Sequence, residues 1–172
     1  MIYYMTAPAG THSFTTKESK QSEINHNQWI GDVLADLGPD WSRKKSMSLE
    51  ELTGQPGVYS LDKKKNSQTW VSDGGYIFYR KNLVGVAENK YQKARENACE
   101  RAARYLALPL FRNQPHRFFL SVYGPGFIKQ ESGGSTGPFL DAMMSAGVYV
   151  IENVNEEQEF KHFFRKWVLS II

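Results

Sequence analysis

The segment from Gln68 to Tyr91 constrains the fold more than any other, because it has the composition of a β-hairpin. The stretches "QTWV" and "GYIFYR" are followed by "KN" and then by "LVGVAENKY". Aromatic and branched residues of this kind favour strands. The second strand is apolar through "LVGVA" and then carries Glu88 and Lys90. Residues two apart lie on one face of a strand, so a carboxylate and an ammonium are predicted side by side at a strand end.

Helices and further strands are predicted around this hairpin. The stretches "HRFFLSVYG" and "VYVIENV" indicate strands, and "SLEEL" and "FLDAMMSAG" indicate short helices. Residues 1–16 lack periodicity and are expected to form an irregular N-terminal arm. The whole chain, 1–172, is expected to be one α/β domain with a central mixed sheet flanked by helices. Apolar periodicity and stop signals predict three long helices, at about Lys17 to Leu37, Lys93 to Leu108 (ended by Pro109) and Glu156 to Ile172.

Composition narrows the class of protein without naming a function. The chain has a formal net charge of +3 and a single cysteine, Cys99, so no disulfide can form within it. We therefore expect a reducing, cytoplasmic setting. No apolar run approaches the roughly 20 residues needed to span a bilayer, and "MIYYM" is too short for a secretory signal. The slightly basic balance permits a polyanionic partner.

The stretch "SDGG", one hairpin arm before Glu88, suggests a chemical use for these charges. Asp73 can lie beside Glu88 on the neighbouring strand, and Gly74 and Gly75 permit an unusual backbone path. Two carboxylates repel unless a divalent cation lies between them, and Mg²⁺ suits such oxygen ligands. Lys90 would orient an attacking water or stabilise charge on a phosphate. The plain alternative is a pair of charges that touch water at a strand edge.

The helix predicted after this strand has a polar face of a kind that can read DNA. At about 100° per residue, Asn97, Glu100, Arg101 and Arg104 lie on one side of it. Asparagine and arginine make bidentate contacts with purines in the major groove, and a carboxylate accepts from an exocyclic amine. The alternative is a solvated surface helix with Glu–Arg pairs. The position directly after the acidic strand favours DNA binding.

Three motifs in this order resemble one enzyme family. "SDGG", "VAENKYQ" and "ENACERAARY" are similar to the P-D-G-G-like, A-E-x-K and G-N-A-x-E-R segments of the EcoRI/MunI group of type II restriction endonucleases. That group has the PD-(D/E)xK nuclease fold. The resemblance covers about Ser72 to Tyr105. Ser72 stands where the family has proline, and Glu96 where it has glycine.

The resemblance implies a Mg²⁺-dependent nuclease acting on double-stranded DNA at a short palindrome that contains AATT. It implies that Asp73 and Glu88 are metal ligands and that Lys90 is the catalytic lysine. It further implies a homodimer, since a two-fold site needs one subunit for each strand, and a cognate DNA methyltransferase in the same system. The residues that it assigns to DNA binding are Gln92, Asn97, Glu100, Arg101 and Arg104.

Several alternatives stay open at the level of sequence. The same fold could serve a structure-selective or repair nuclease, or a DNA-binding module without catalysis. Glu18 or Glu23 of the first helix could add a carboxylate, although a solvated helix face is the simpler reading. The last helix has more apolar residues than one face needs, and a dimer contact would use the surplus. The outer bases of the site, the cut stagger, the number of metal ions and the dimer surface are not predicted.

Overall fold

A computed structural model describes residues 4–6, 16–53, 69–91, 102–123 and 143–172, with the backbone alone for residues 4–6, 16–19, 90 and 91. Two short segments without a label of their own, residues 102–106 and 143–146, are helical, and residues 115–117 form a 3₁₀ turn. In chain order, the strands and helices are β1 (Tyr4–Thr6), α1 (Thr16–Leu37), β2 (Trp41–Ser48), α2 (Leu49–Thr53), β3 (Thr69–Tyr79), β4 (Asn82–Tyr91), α3 (Pro109–Arg112), β5 (Phe118–Tyr123), β6 (Tyr149–Glu152) and α4 (Glu157–Ser170).

The strands form one mixed sheet in the order β1-β6-β5-β4-β3-β2. Strands β2, β3 and β4 are antiparallel neighbours, whereas β4, β5, β6 and β1 run parallel. Parallel strands need helical crossovers, and the helical residues 102–106 and 143–146 lie in the two connections concerned. The predicted α/β class with a central mixed sheet and flanking helices is thereby confirmed.

Apolar residues cover both faces of this sheet. On one face, α1 and α4 pack over Ile77, Ala87 and Phe119, with Phe164 and Trp167 completely buried. On the other face, the helical segment 102–106 and α3 pack over the alternate residues of the same strands. Most of the surplus apolar residues of the last helix are therefore used in the chain's own core: Phe160, Phe164, Trp167, Val168 and Ile171 are buried, and Phe163 is partly buried.

The elements predicted from local patterns are found where expected. Helix α1 ends at Leu37 before a Gly38 with φ of 111°, which suits a helix stop. The β3–β4 hairpin turns through Arg80 and Lys81, one residue before the predicted "KN", and both have positive φ (49° and 68°), as tight hairpins require. The closing helix and the strands around Phe118 and Tyr149 also agree with the predictions.

Three details of the sequence prediction are wrong. The arm at residues 1–16 is not wholly irregular, because Tyr4–Thr6 pairs with β6 as an edge strand. Strand β2 was not predicted, and it forms the opposite edge. Helix α3 was not predicted: the preceding helix ends before Pro109 as expected, but Pro109 then begins a short helix, at a position where its missing N–H costs nothing. No helix in the described part of the chain has the length and apolarity needed to cross a membrane.

Candidate functional site

The "SDGG" stretch forms a bulge in β3. Lys44 pairs with Tyr76, and Ser46 pairs with Val71, so four residues of β3 (Ser72 to Gly75) lie opposite only Lys45. Gly75 has φ of 105°, a conformation that glycine adopts without strain. Bulges of this kind bend a strand and redirect its side chains. The unusual backbone path predicted from the two glycines is therefore present.

Gly74 is required because the bulge presses against β4. A Cβ atom at this position would lie 2.5 Å from the carbonyl oxygen of Ala87 and 2.8 Å from its Cβ. Ala87 pairs with Gly75 across the β3–β4 ladder. The close approach brings the residues next to Gly74 into contact with the end of β4, where Glu88 lies.

Glu88 is completely buried, and Ser72 holds its carboxylate. The Ser72 hydroxyl lies 3.0 Å from Glu88 Oε2 and also donates to the carbonyl oxygen of Ala87. Its oxygen accepts from the N–H of Gly75 at 3.2 Å. Because Ser72 is itself buried, this network lies inside the protein and not at a wet strand edge. Glu88 is therefore not a water-exposed charge at a strand edge, which was the alternative considered from the sequence.

Asp73 is half-buried and lines a cleft of about 260 Å³ between α1, β2 and the bulge. The cleft also contains Asn27, Arg43, Lys45, Ser72 and the two glycines. Arginine and lysine side chains beside a single carboxylate make it a place where an anionic group such as a phosphate can be held. Glu88 lies behind Ser72 and is not among the residues that line the cleft in the described part of the chain.

Two asparagines connect Asp73 to helix α1. Asn89 follows Glu88 on β4, and its amide donates to the backbone oxygen of Asp73 at 3.3 Å. The same amide nitrogen lies 3.3 Å from Oδ1 of Asn27. The bulge is thus held by α1 as well as by the two strands that flank it.

Of the two α1 carboxylates considered above, Glu23 is half-buried, and the side chain of Glu18 lies outside the described residues.

The remaining predicted residues are only partly described. Lys90 continues β4 and pairs with Val122 of β5, but its side chain is outside the described part of the structure. Arg104 is exposed, and its guanidinium lies 4.8 Å from the centre of the Trp70 ring. Four proposed DNA-binding residues lie outside the described residues: Gln92, Asn97, Glu100 and Arg101.

The donor types at the bulge fit Mg²⁺. In the described part of the chain, no group of three or more histidine, cysteine, aspartate or glutamate side chains can hold a metal. Magnesium does not need such a group, because it is commonly bound by one or two carboxylates together with water and substrate phosphate. Asp73 and Glu88 lie on neighbouring strands, and each has carboxylate oxygens of the kind that Mg²⁺ prefers. Binding of one ion by both carboxylates stays a prediction.

Sequence reasoning missed Asn27, Arg43 and Lys45. Arg43 and Lys45 come from the unpredicted strand β2, and partial burial of the guanidinium lowers the pKa of Arg43 from its usual value. The run "RKK" at Arg43 to Lys45 was the available signal, since a basic strand edge fits an anionic partner. Asn27 had no signal, because nothing in the sequence shows which helix residues face β4.

Comparison with models of known protein families, with curated proteins and with solved structures finds no match for this chain.

Proposed function

We propose that the chain is a Mg²⁺-dependent DNA endonuclease with a PD-(D/E)xK fold. The observation that carries the proposal is that the strands of Asp73 and Glu88 are hydrogen-bonded neighbours. At their junction Gly74 of the bulge packs against Ala87 of β4, and Asp73 lines the adjoining cleft together with Arg43 and Lys45. A carboxylate beside cationic side chains, with a second carboxylate on the neighbouring strand, is an arrangement that metal-assisted phosphodiester hydrolysis can use.

Each residue has a distinct role in this proposal. Asp73 and Glu88 would hold the cation, and Ser72 would orient the Glu88 carboxylate. A bound Mg²⁺ supplies Lewis-acid polarisation of the phosphate and a more acidic water. Lys90, two residues after Glu88 on the same strand, would orient the attacking water or stabilise charge on the phosphate. The Lys45 ammonium would attract the DNA backbone into the cleft.

More specifically, we propose a type II restriction endonuclease that acts as a homodimer on a palindrome containing AATT. It rests on the sequence motif from Asn97 to Arg101, which would contact base edges, with Gln92 nearby and Arg104 at the DNA backbone. A cutter of this kind endangers its host genome, so a cognate methyltransferase is expected to be encoded beside it.

Incubation of the purified protein with a mixed-sequence plasmid and Mg²⁺, followed by sequencing of the fragment ends, tests the proposal. Discrete ends that share one palindrome support the restriction enzyme. Glu88→Gln, which removes the charge and keeps the shape, should reduce cleavage by at least about 10³-fold. Glu159→Gln, an exposed substitution on α4, is the matched control and should cut like the wild type. Equal cutting by Glu88→Gln and wild type would refute the catalytic assignment.

A second candidate is a DNA-binding module without hydrolysis. The complete burial of Glu88 favours it, because a carboxylate enclosed by the sheet is less accessible to substrate and metal. Such a module would shift DNA in a binding assay, would leave plasmid intact, and would show no change of thermal stability with Mg²⁺. Heterogeneous fragments with a preference for nicked or branched DNA would instead identify a structure-selective nuclease.

A further inference from the structure

Arg43 is placed where β2 meets both α1 and the bulge. It pairs with Ile77 in the ladder, one pair before the last pair that precedes the shift of the β2–β3 register. Its Nη1 donates to the carbonyl oxygen of Asn27 at 3.0 Å and to that of Gly74 at 3.3 Å. One guanidinium therefore joins the helix to the peptide between Gly74 and Gly75.

Two glycines open the path that this side chain follows. A Cβ atom at Gly75 would lie 2.5 Å from both Cγ and Cδ of Arg43. A Cβ atom at Gly31, on α1, would lie 3.3 Å from Nη2. Residues distant in sequence thus leave room for one arginine, which indicates a specific position for it and not an accidental surface contact.

Two successive carbonyl oxygens, those of Asp73 and Gly74, are held from the same helix residue. Arg43 connects the Gly74 oxygen to the backbone of Asn27, and Asn89 connects the Asp73 oxygen to the side chain of Asn27. A guanidinium can donate in two directions from a fixed plane, which an ammonium cannot do with the same geometry. Loss of one connection would let the Asp73 peptide rotate while the fold remains intact.

We propose that Arg43 is a positioning residue, which fixes the Asp73–Gly75 turn and so sets the direction of the Asp73 carboxylate. The inference deepens the proposed nuclease function and rests on it for the role of Asp73. A catalytic group displaced by about 1 Å loses on the order of 10² in rate, and partners behind a metal ligand typically affect metal affinity by about 10- to 100-fold.

Arg43→Lys tests the inference in the full chain, with Lys44→Arg as the matched control. Both substitutions keep the charge, and Lys44 is an exposed neighbour on the same strand that pairs with Glu51. For Arg43→Lys we expect kcat to fall about 10²-fold, the Mg²⁺ concentration for half-maximal cleavage to rise about tenfold, and the KM for DNA to stay within about threefold. Lys44→Arg should stay within about twofold of wild type throughout.

A second measurement needs neither DNA nor metal. The Gly75 N–H donates to Ser72 Oγ, and its hydrogen exchange should be at least about tenfold faster in Arg43→Lys than in Lys44→Arg. Unchanged Gly75 exchange would overturn the inference, as would an unchanged kcat and Mg²⁺ requirement in an active enzyme. If wild type does not cut DNA but exchange responds as expected, the nuclease proposal fails and the positioning of the turn stands.

Discussion

Strand β4 is buried from Gly85 to Asn89, but its two halves are buried by different means. In the first half, Val86 and Ala87 face the two apolar clusters on opposite sides of the sheet. In the second half, Glu88 and Asn89 are equally buried but contact Ser72 and Asn27 through hydrogen bonds. Apolar burial stabilises a fold in proportion to area, whereas enclosing a carboxylate costs free energy. The polar half is therefore expected to serve function more than stability.

The apolar half is tested with Phe119→Ala, which should have the largest effect on stability. Phe119 pairs with Ala87 and contacts the rings of Tyr149, Phe164 and Trp167. Removing its ring should cost about 3–5 kcal/mol of unfolding free energy, because the core around it cannot collapse fully. Urea unfolding measures the loss. Cleavage per folded molecule should be unchanged. A loss of cleavage by molecules that are still folded would contradict the assignment of stability to the apolar half and function to the polar half.

A pH series tests a polar group buried among aromatic rings. His26 stacks on Phe160 at 4.2 Å between ring centres, and burial lowers its pKa to about 3 from 6.5. The unfolded chain therefore binds a proton that the folded protein excludes. The His26 contribution to stability is complete above pH 6.5 and is lost as pH falls toward 3. The contribution of His26 to the free energy of unfolding should be about 2 kcal/mol smaller at pH 5 than at pH 8.

Urea unfolding of wild type and His26→Gln at both pH values isolates this contribution. The variant retains a polar side chain but has no titrating group, so its loss of stability between pH 8 and pH 5 should be about 2 kcal/mol smaller than that of wild type. His116, whose pKa burial also lowers, acts equally in both proteins and cancels. If the free energy of unfolding changes equally in wild type and variant between pH 8 and pH 5, His26 has the same pKa in the folded and unfolded chain and the prediction is wrong.

The polar half is tested with Ser72→Ala, which should have the smallest effect on stability. Loss of the hydroxyl removes its contacts with Glu88, the Ala87 carbonyl and the Gly75 N–H, and costs at least about 1 kcal/mol. The Mg²⁺ concentration for half-maximal cleavage should nevertheless rise about tenfold, since the carboxylate loses the group that orients it. Ser42→Ala, at an exposed position on β2, is the control. A change in stability without any change in metal requirement would assign Ser72 to packing alone.

Local patterns predicted the elements that are stabilised locally. Helix α1 and the hairpin follow from periodicity and strand composition, and the turn at Arg80 and Lys81 lies one residue before the predicted one. Strand β2 could not be predicted, because only Trp41 and Met47 of its residues are buried and the five between them are exposed. Its strand conformation depends on the ladder with β3, which connects segments far apart in sequence. The three residues of β1 depend on β6 for the same reason.

The candidate site divides in the same way. The motif supplied Asp73, Glu88 and the two glycines, because the spacing of charges along strands is a local property. It did not supply the hydrogen bond from Ser72 to Glu88, since a four-residue bulge changes which side chain meets which. Arg43 and Asn27 had to be found in three dimensions, because their contacts with Gly74 and Asn89 join three separate elements.

By itself, the sequence determined the α/β class, the hairpin and the presence of two acidic residues on its adjoining strands. These follow from side-chain alternation and glycine conformation, which act over a few residues. Only the tertiary structure decided that Glu88 is enclosed, that Asp73 lines a cationic cleft and that one arginine joins helix to bulge. Burial and side-chain hydrogen bonds depend on how distant segments pack, and no short stretch of the chain contains that information.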